Sequence, residues 1–271
     1  MTSTDGIALI LGVNRVGNRQ LWLADSAQMA PAGTAPIMRI IPSTGEIAAL
    51  TTNQVVCMAS GHIAALTTNQ LANALTTNQI VALSSNQLGA FNTAQFGALS
   101  TTAIAAIETA DIGGLKTNVI AALKSAQVAA LTTNQIGALG TNQVAALSTG
   151  SIAGMTTNQI VALSSNQASV LSSAQIGALA TETVAALETA DLAALKTGTI
   201  AGLKTQQVAA LTTNQVVALT TAQANALTTA QAGALSTNAV AALETADLAA
   251  LKTSSIAALN TAQIAALTTN Q

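Results

Sequence analysis

The stretch Val208-Ala209-Ala210-Leu211-Thr212-Thr213-Asn214-Gln215 decides how this chain folds, because nearly everything after residue 46 is a copy of it. Written as positions 1 to 8, the octad is Ile/Val, Ala, Ala, Leu, Thr, Thr, Asn, Gln. Clear copies stand at Ile63–Gln70, Val128–Gln135 and Ile264–Gln271. Residues 47–271 number 225, which is 28 octads and one additional residue. That residue falls in Leu71–Gln79, where Leu-Ala-Asn-Ala-Leu replaces the usual four, and from Ile80 the register holds to the end. An array this strict requires short, equivalent connections and has no room for a variable loop.

The positions of the large side chains restrict the backbone. Position 1 is aliphatic, position 4 is almost always Leu, and position 3 is almost always Ala or Gly. One continuous helix is excluded, since eight residues at about 100° each overshoot two turns by about 80° and the apolar stripe would circle the helix. A straight strand fits poorly, because positions 1 and 4 have opposite parity and would face opposite ways.

A short helix broken once per octad places positions 1 and 4 on one face as i and i+3 neighbours. Thr at position 5 or 6 then supplies the N-cap, and position 8 completes a capping box Thr-x-x-Gln or a shorter Thr-x-Asp. Ser43-Thr44-Gly45-Glu46 has the form of the first such cap. Small residues at position 3 would let neighbouring elements approach closely. The predicted fold is therefore an all-α repeat solenoid of very short capped helices, about one and a half turns each. The alternative is a β-solenoid with a corner between positions 1 and 4 and stacked Thr, Asn and Gln rows. One octad alone buries too little to offset the entropy of ordering it, so stability has to come from neighbours.

Composition agrees with a packed repeat rather than a disordered chain or an ordinary enzyme. Half the residues are apolar, 7% are charged, and the aromatics are Trp22, Phe91 and Phe96. Residues 1–46 differ from the rest. They hold all three prolines (Pro31, Pro36, Pro42), all three arginines (Arg15, Arg19, Arg39) and the single Trp. Ile7–Leu11, Gln20–Ala24 and Ile37–Ile41 read as short strands separated by turn residues. The expected organisation is a β-rich N-terminal cap or assembly segment at 1–46 and an octapeptide-repeat solenoid at 47–271. No positive n-region with an h-region opens the chain, and nowhere do 18 apolar residues run together, so neither a Sec-type signal nor a membrane span is expected.

Charge in the array follows a rule. Glu108, Glu188 and Glu244 each occupy position 5 and begin Glu-Thr-Ala-Asp, which places Asp111, Asp191 and Asp247 at position 8. Eight residues after each Glu stand Lys116, Lys196 and Lys252, and Lys124 and Lys204 follow two of them. These six Glu and Lys residues are expected to form ion pairs between successive repeats; an exposed pair contributes about 0–1 kcal/mol. Cation binding by the Glu/Asp pairs is the sharper and less favoured reading.

Cys57 and His62 lie five apart, too few for a structural zinc site, with Cys57 expected to be a buried thiol at the small position 3. No metal, cofactor or catalytic residue is expected: there is one His, no Tyr and no phosphate-cradling glycine motif. A formal charge of −2 without a basic patch or aromatic series speaks against nucleic acid. Regular Thr rows raise ice or mineral templating, weakened by the expectation that position 6 is spent on capping.

The octad resembles repeat tracts in very large secreted or surface proteins of proteobacteria, where units like Ala-Leu-Thr-Thr-Asn-Gln-Val recur. The resemblance covers about residues 47–271. It implies an extracellular, adhesin-like or filament-forming role without catalytic residues. The expected function is a structural one: a rigid extracellular rod or filament subunit able to polymerise end to end, with other copies of itself as partners. The alternative is the stalk or ligand-binding module of a surface adhesin, with cell-surface or matrix components as partners. The cell surface or exterior is the expected location, and the lack of a Sec-type signal leaves a cytoplasmic one open.

Overall fold

A computed structural model describes residues 7–13, 19–25 and 44–271. Ile7–Val13 (β1) and Arg19–Asp25 (β2) pair antiparallel, with Ile10 opposite Trp22. They fall on two of the three expected strands; Ile37–Ile41 lies outside the described residues. From Thr44 onward the chain is a succession of helices of four to six residues, one per octad, including the 3₁₀ helix Thr109–Gly114. This is the all-α repeat solenoid expected from the octad, and the β-solenoid alternative is excluded by its helices. The chain divides into two compact units, Met1–Val119 and Ile120–Gln271. The octad runs through both, so the change in composition at residue 46 and the division at Val119 are separate features.

Each helix starts and stops by the same means. In Thr213–Val217, Thr212 is the N-cap at φ −72°, ψ 158°, and its hydroxyl accepts from the Gln215 N–H at 3.2 Å. The Gln215 side chain returns the favour, its Oε1 accepting from the Thr212 N–H at 2.9 Å. Position 5 is therefore the cap, position 6 is the first helical residue, and position 8 is the third. At the other end, the position 4 Leu closes one last tight bond, as where the Leu219 N–H donates to the Val216 carbonyl at 3.2 Å. Such leucines then turn extended, for example Leu195 at φ −61°, ψ 142°. Two extended residues, positions 4 and 5, make the whole connection, and no left-handed glycine is needed to end the helix.

The first cap, at Ser43, lies outside the described residues. The Thr-x-Asp cap does not form. In the Glu-Thr-Ala-Asp octads the N-cap is Glu188 or Glu244 itself, without a side-chain bond, because Thr at position 6 has already entered the helix.

Within each unit the backbone of a helix lies against the third helix along. Ser60–Ala65 packs on Ser85–Leu88 in the first unit, and Thr205–Ala209 on Thr229–Ala234 in the second. Position 1 and position 4 side chains point inward. Ile176, Val184, Ile200 and Val208 are fully buried, and Leu179, Leu203 and Leu211 nearly so. In the first unit Phe91 takes position 4 and Phe96 position 1, their rings meeting edge to face at 6.0 Å. The nine-residue octad is absorbed by promoting Ala74 to the buried place of the position 4 Leu and leaving Leu75 half-buried at the connection.

The small position 3 permits backbone contact where it is Gly. A Cβ on Gly154 would fall 2.9 Å from Ser125 Cα, with the Ser125 carbonyl nearer still. One on Gly202 would fall 2.5 Å from Ser173 Cβ. In both places the facing position 6 is Ser where the octad writes Thr, so the coils close together on two reduced side chains.

Candidate functional surface

The residue that organises the solenoid is the one at position 8. A glutamine here is buried, from 0% exposed at Gln135 to 6% at Gln143, which ordinarily costs free energy unless every polar atom is partnered. Its Oε1 is spent on the cap of its own helix, as above. Its Nε2 reaches across to the preceding coil and donates to two backbone carbonyls at once. Gln215 donates to Val184 at 3.0 Å and Leu187 at 2.9 Å. Gln207 reaches Ile176 and Leu179, and Gln223 reaches Leu192 and Leu195. The accepting residues are positions 1 and 4 of the third octad back, at the helix four before the glutamine's own.

In the first unit the same hook spans one residue more, Gln87 to Val55 and Met58 and Gln95 to Ile63 and Leu66. Both spans contain the nine-residue octad, so the additional residue is taken up within one coil. Since helices touch the third along and glutamines the fourth back, one coil takes between three and four octads.

This double use explains which residues can replace which. The cap N–H of Lys124, Gly140 and Lys204 is still satisfied by glutamine at 3.1, 2.8 and 2.7 Å, so position 5 tolerates a lysine or no side chain at all. At three positions where the eighth residue is Thr or Ser, one of the two inter-coil bonds survives: Thr183 Oγ1 donates to Met155 at 3.3 Å, Thr199 Oγ1 to Leu171 at 2.8 Å and Ser255 Oγ to Leu227 at 3.2 Å, whereas the Ser151 hydroxyl turns to the Ser148 carbonyl of its own cap. His62 stands at position 8 as well. Its Nδ1 accepts the Ala59 N–H at 3.1 Å, in the role of a glutamine Oε1, which leaves the proton on Nε2; burial holds its pKa below the usual histidine value. Sequence reasoning placed glutamine only in the cap. The signal it could have used was the persistence of Gln where position 5 is Lys or Gly and a Thr-Gln box cannot form.

Aspartate is the misfit. Asp191 and Asp247 are buried at position 8, and Oδ2 of each has no partner. Asp191 Oδ1 accepts from the Ser165 hydroxyl at 2.7 Å, and Asp111 Oδ1 from the Ser85 N–H at 2.8 Å and its hydroxyl at 2.5 Å. Burial pushes the Asp191 carboxyl above its ordinary value, and the nearby Glu188 charge adds to the rise, against the lowering by the Ser165 bond. A carboxyl whose folded pKa is raised lends stability below its unfolded pKa and loses it as pH rises through the folded value. Asp191→Gln should therefore raise the melting temperature by a few degrees at pH 7. That gain should shrink towards pH 4, where the wild-type carboxyl takes up a proton; thermal unfolding at the two pH values checks this.

The remaining residues singled out in the sequence lie at the surface. Glu108, Lys116, Glu188, Lys196, Glu244 and Lys252 are all exposed at position 5. Cys57 is exposed, which corrects the expectation of a buried thiol: position 3 is no more than half-buried within the array either, as at Ala210 and Ala218. A maleimide should label native Cys57 within minutes without denaturant, read by mass spectrometry. Position 6 is also exposed, as at Thr133, Thr157 and Thr213, so it is not consumed by capping. Among the described residues no cluster of three or more His, Cys, Asp or Glu is placed to hold a metal ion. No helix among them is long and apolar enough to cross a membrane.

The hexad from position 3 to position 8 carries every structural role: contact, core, cap, helix start, exposed position and hook. It reads Ala-Leu-Thr-Thr-Ala-Gln at 218–223 and again at 226–231. A family model described as the ALTTAQ repeat matches residues 69–101, 104–141, 128–157, 144–181, 184–221 and 240–271. No curated protein matches the chain. With its cap, core and hook all written in those six letters, the chain belongs to the ALTTAQ repeat family.

Proposed function

We propose that this repeat protein is a structural one, serving outside the cell as a filament subunit that joins end to end with further copies of itself. The observation that carries the reading is the uniform use of side chains. Octad after octad, the polar groups at positions 5 and 8 are consumed in caps and hooks. The likeness of the octad to tracts in large proteobacterial surface proteins supports an extracellular setting. The exposed pairs Glu108–Lys116, Glu188–Lys196 and Glu244–Lys252 belong to the same reading, as charges that favour one register between successive helices. A double-mutant cycle on Glu188 and Lys196 should show a small coupling that vanishes in high salt.

Negative-stain microscopy of the purified chain, with fractionation of the source cells, tests the proposal. Elongated assemblies and recovery from the surface or medium are expected. Only dispersed short monomers at high concentration would count against it, and saturable binding of surface glycans by the array would favour an adhesin stalk instead.

A further inference from the structure

The hooks are not spread evenly along the second unit; they come in runs. Gln159, Gln167 and Gln175 each donate to both carbonyls of the preceding coil. The next three residues at position 8 are Thr183, Asp191 and Thr199. Thr183 keeps one bond, to Met155, and Thr199 one, to Leu171. The Asp191 carboxylate has no proton to give, and among the described residues the Leu163 carbonyl it should serve receives no donor. Full hooks return at Gln207, Gln215, Gln223 and Gln231. A second gap follows at Ala239, Asp247 and Ser255, where the bond from Ser255 to Leu227 is the one that remains. Gln263 is hooked again, to Ala232 and Leu235. The sequence writes the same gap earlier, at Ala103, Asp111 and Val119.

One coil takes between three and four octads, so each run covers nearly one turn of the solenoid. Residues 176–203 are therefore hooked along their whole length by residues 207–231, and only by single bonds onto the coil before them. Other contacts enter the hook-poor steps, but at the rim. The Ser173 hydroxyl donates to the Gly198 carbonyl at 2.6 Å and Asn225 Nδ2 to the Ala250 carbonyl at 2.7 Å, both among exposed residues where water competes. The backbones also close together at Gly202 and Ser173. In the middle of each gap stands a buried aspartate, 3% exposed at 191 and 2% at 247, with Oδ2 unpartnered. A buried polar atom without a partner weakens the contact it sits in.

We propose that the solenoid is jointed: residues 176–235 form one cooperative unit of two hooked coils, bounded by seams at residues 183–199 and 239–255 where the array opens first. In a solenoid each coil leans only on its neighbours, so stability is a sum of coil and interface terms and opening starts at the weakest interface. The hooks make that interface alternate, strong within the pair and weak at either side of it. The inference concerns the order of opening within one chain and holds whether or not copies join into filaments.

Native-state hydrogen exchange of the full chain, read by mass spectrometry below the unfolding transition, tests the seams. Val208→Ala removes buried methyl groups from the second coil of the pair. It should lower the protection of backbone amides in 176–203 and in 208–235 by one common factor, about tenfold, and leave those in 128–147 nearly unchanged. Adding Gln207→Thr/Gln215→Thr/Gln223→Thr cuts the pair in two, so that the effect of Val208→Ala no longer reaches 176–203. If circular dichroism shows that this triple change loses helix, Gln215→Thr alone should reduce the transmitted effect. Protection lowered equally on both sides of residues 183–199 would overturn the proposal, as would residues 176–203 keeping their protection in Val208→Ala.

Discussion

Gln215→Glu should destabilise the chain by about 3 kcal/mol or more at neutral pH, although it alters the side chain by a single atom or two. In the wild type the Gln215 amide donates to the Val184 and Leu187 carbonyls while its oxygen serves the Thr212 cap. A carboxylate keeps the cap acceptor and removes both donors. It also sets a second oxygen, carrying charge, against two carbonyl oxygens at a position 1% exposed. A buried polar group left without partners costs about 1–3 kcal/mol, and an unpaired charge more. The folded state would resist ionisation, so the folded pKa of the new carboxyl lies above its unfolded value. By linkage the lost stability returns as pH falls through that folded value, because the protonated carboxyl regains one donor. Chemical denaturation at pH 7 and pH 4.5 should show the deficit narrowing in acid. A deficit equal at both pH values would mean that the residue acts by packing alone.

Gly154→Val should cost about 2–3 kcal/mol, the usual range for forcing extra atoms into a packed contact. The added Cβ would meet the backbone of Ser125, whose carbonyl carbon is 2.7 Å from that place, and backbone cannot rotate away as a side chain can. The octads would then have to separate locally, weakening the hook of the neighbouring coil. Gly198 is the control, since nothing lies within 4 Å of its would-be Cβ. Gly198→Ala should leave stability unchanged or raise it by about 0.5–1 kcal/mol, since Gly is a poor helix residue. Thermal melts of the two variants in parallel measure contact against propensity.

The sequence carried the fold further than the surface. The period of eight excluded a long helix, and Thr-x-x-Gln marked the helix starts, because both are local: a cap spans four residues and a turn nearly the same. The hooks were not legible. They join residues 28 and 31 apart in the second unit and 29 and 32 apart in the first, and nothing inside one octad states how many octads make a coil. The same gap explains the Asp residues. From the octad alone Asp191 is a cap acceptor near a helix start, whereas in the fold it occupies a place meant for a donor and turns to Ser165. Cys57 erred for a related reason. Position 3 is small because a neighbouring coil passes close to it, as Ser125 does to Gly154, yet a small residue in contact is not a buried one, and Ala210 and Ala218 at the same position are only half-buried.

The glutamine hook is the central claim, and side-chain amide hydrogen exchange reads it most directly. In a chain labelled with ¹⁵N-glutamine, the Nε2 protons of interior residues such as Gln207, Gln215 and Gln223 should exchange orders of magnitude more slowly than those of Gln54, whose amide nitrogen meets no carbonyl among the described residues. Protection of these side chains should match that of the buried backbone and disappear together with it on unfolding. Exchange of the interior amides at the rate of free glutamine, in a chain still helical by circular dichroism, would contradict the account.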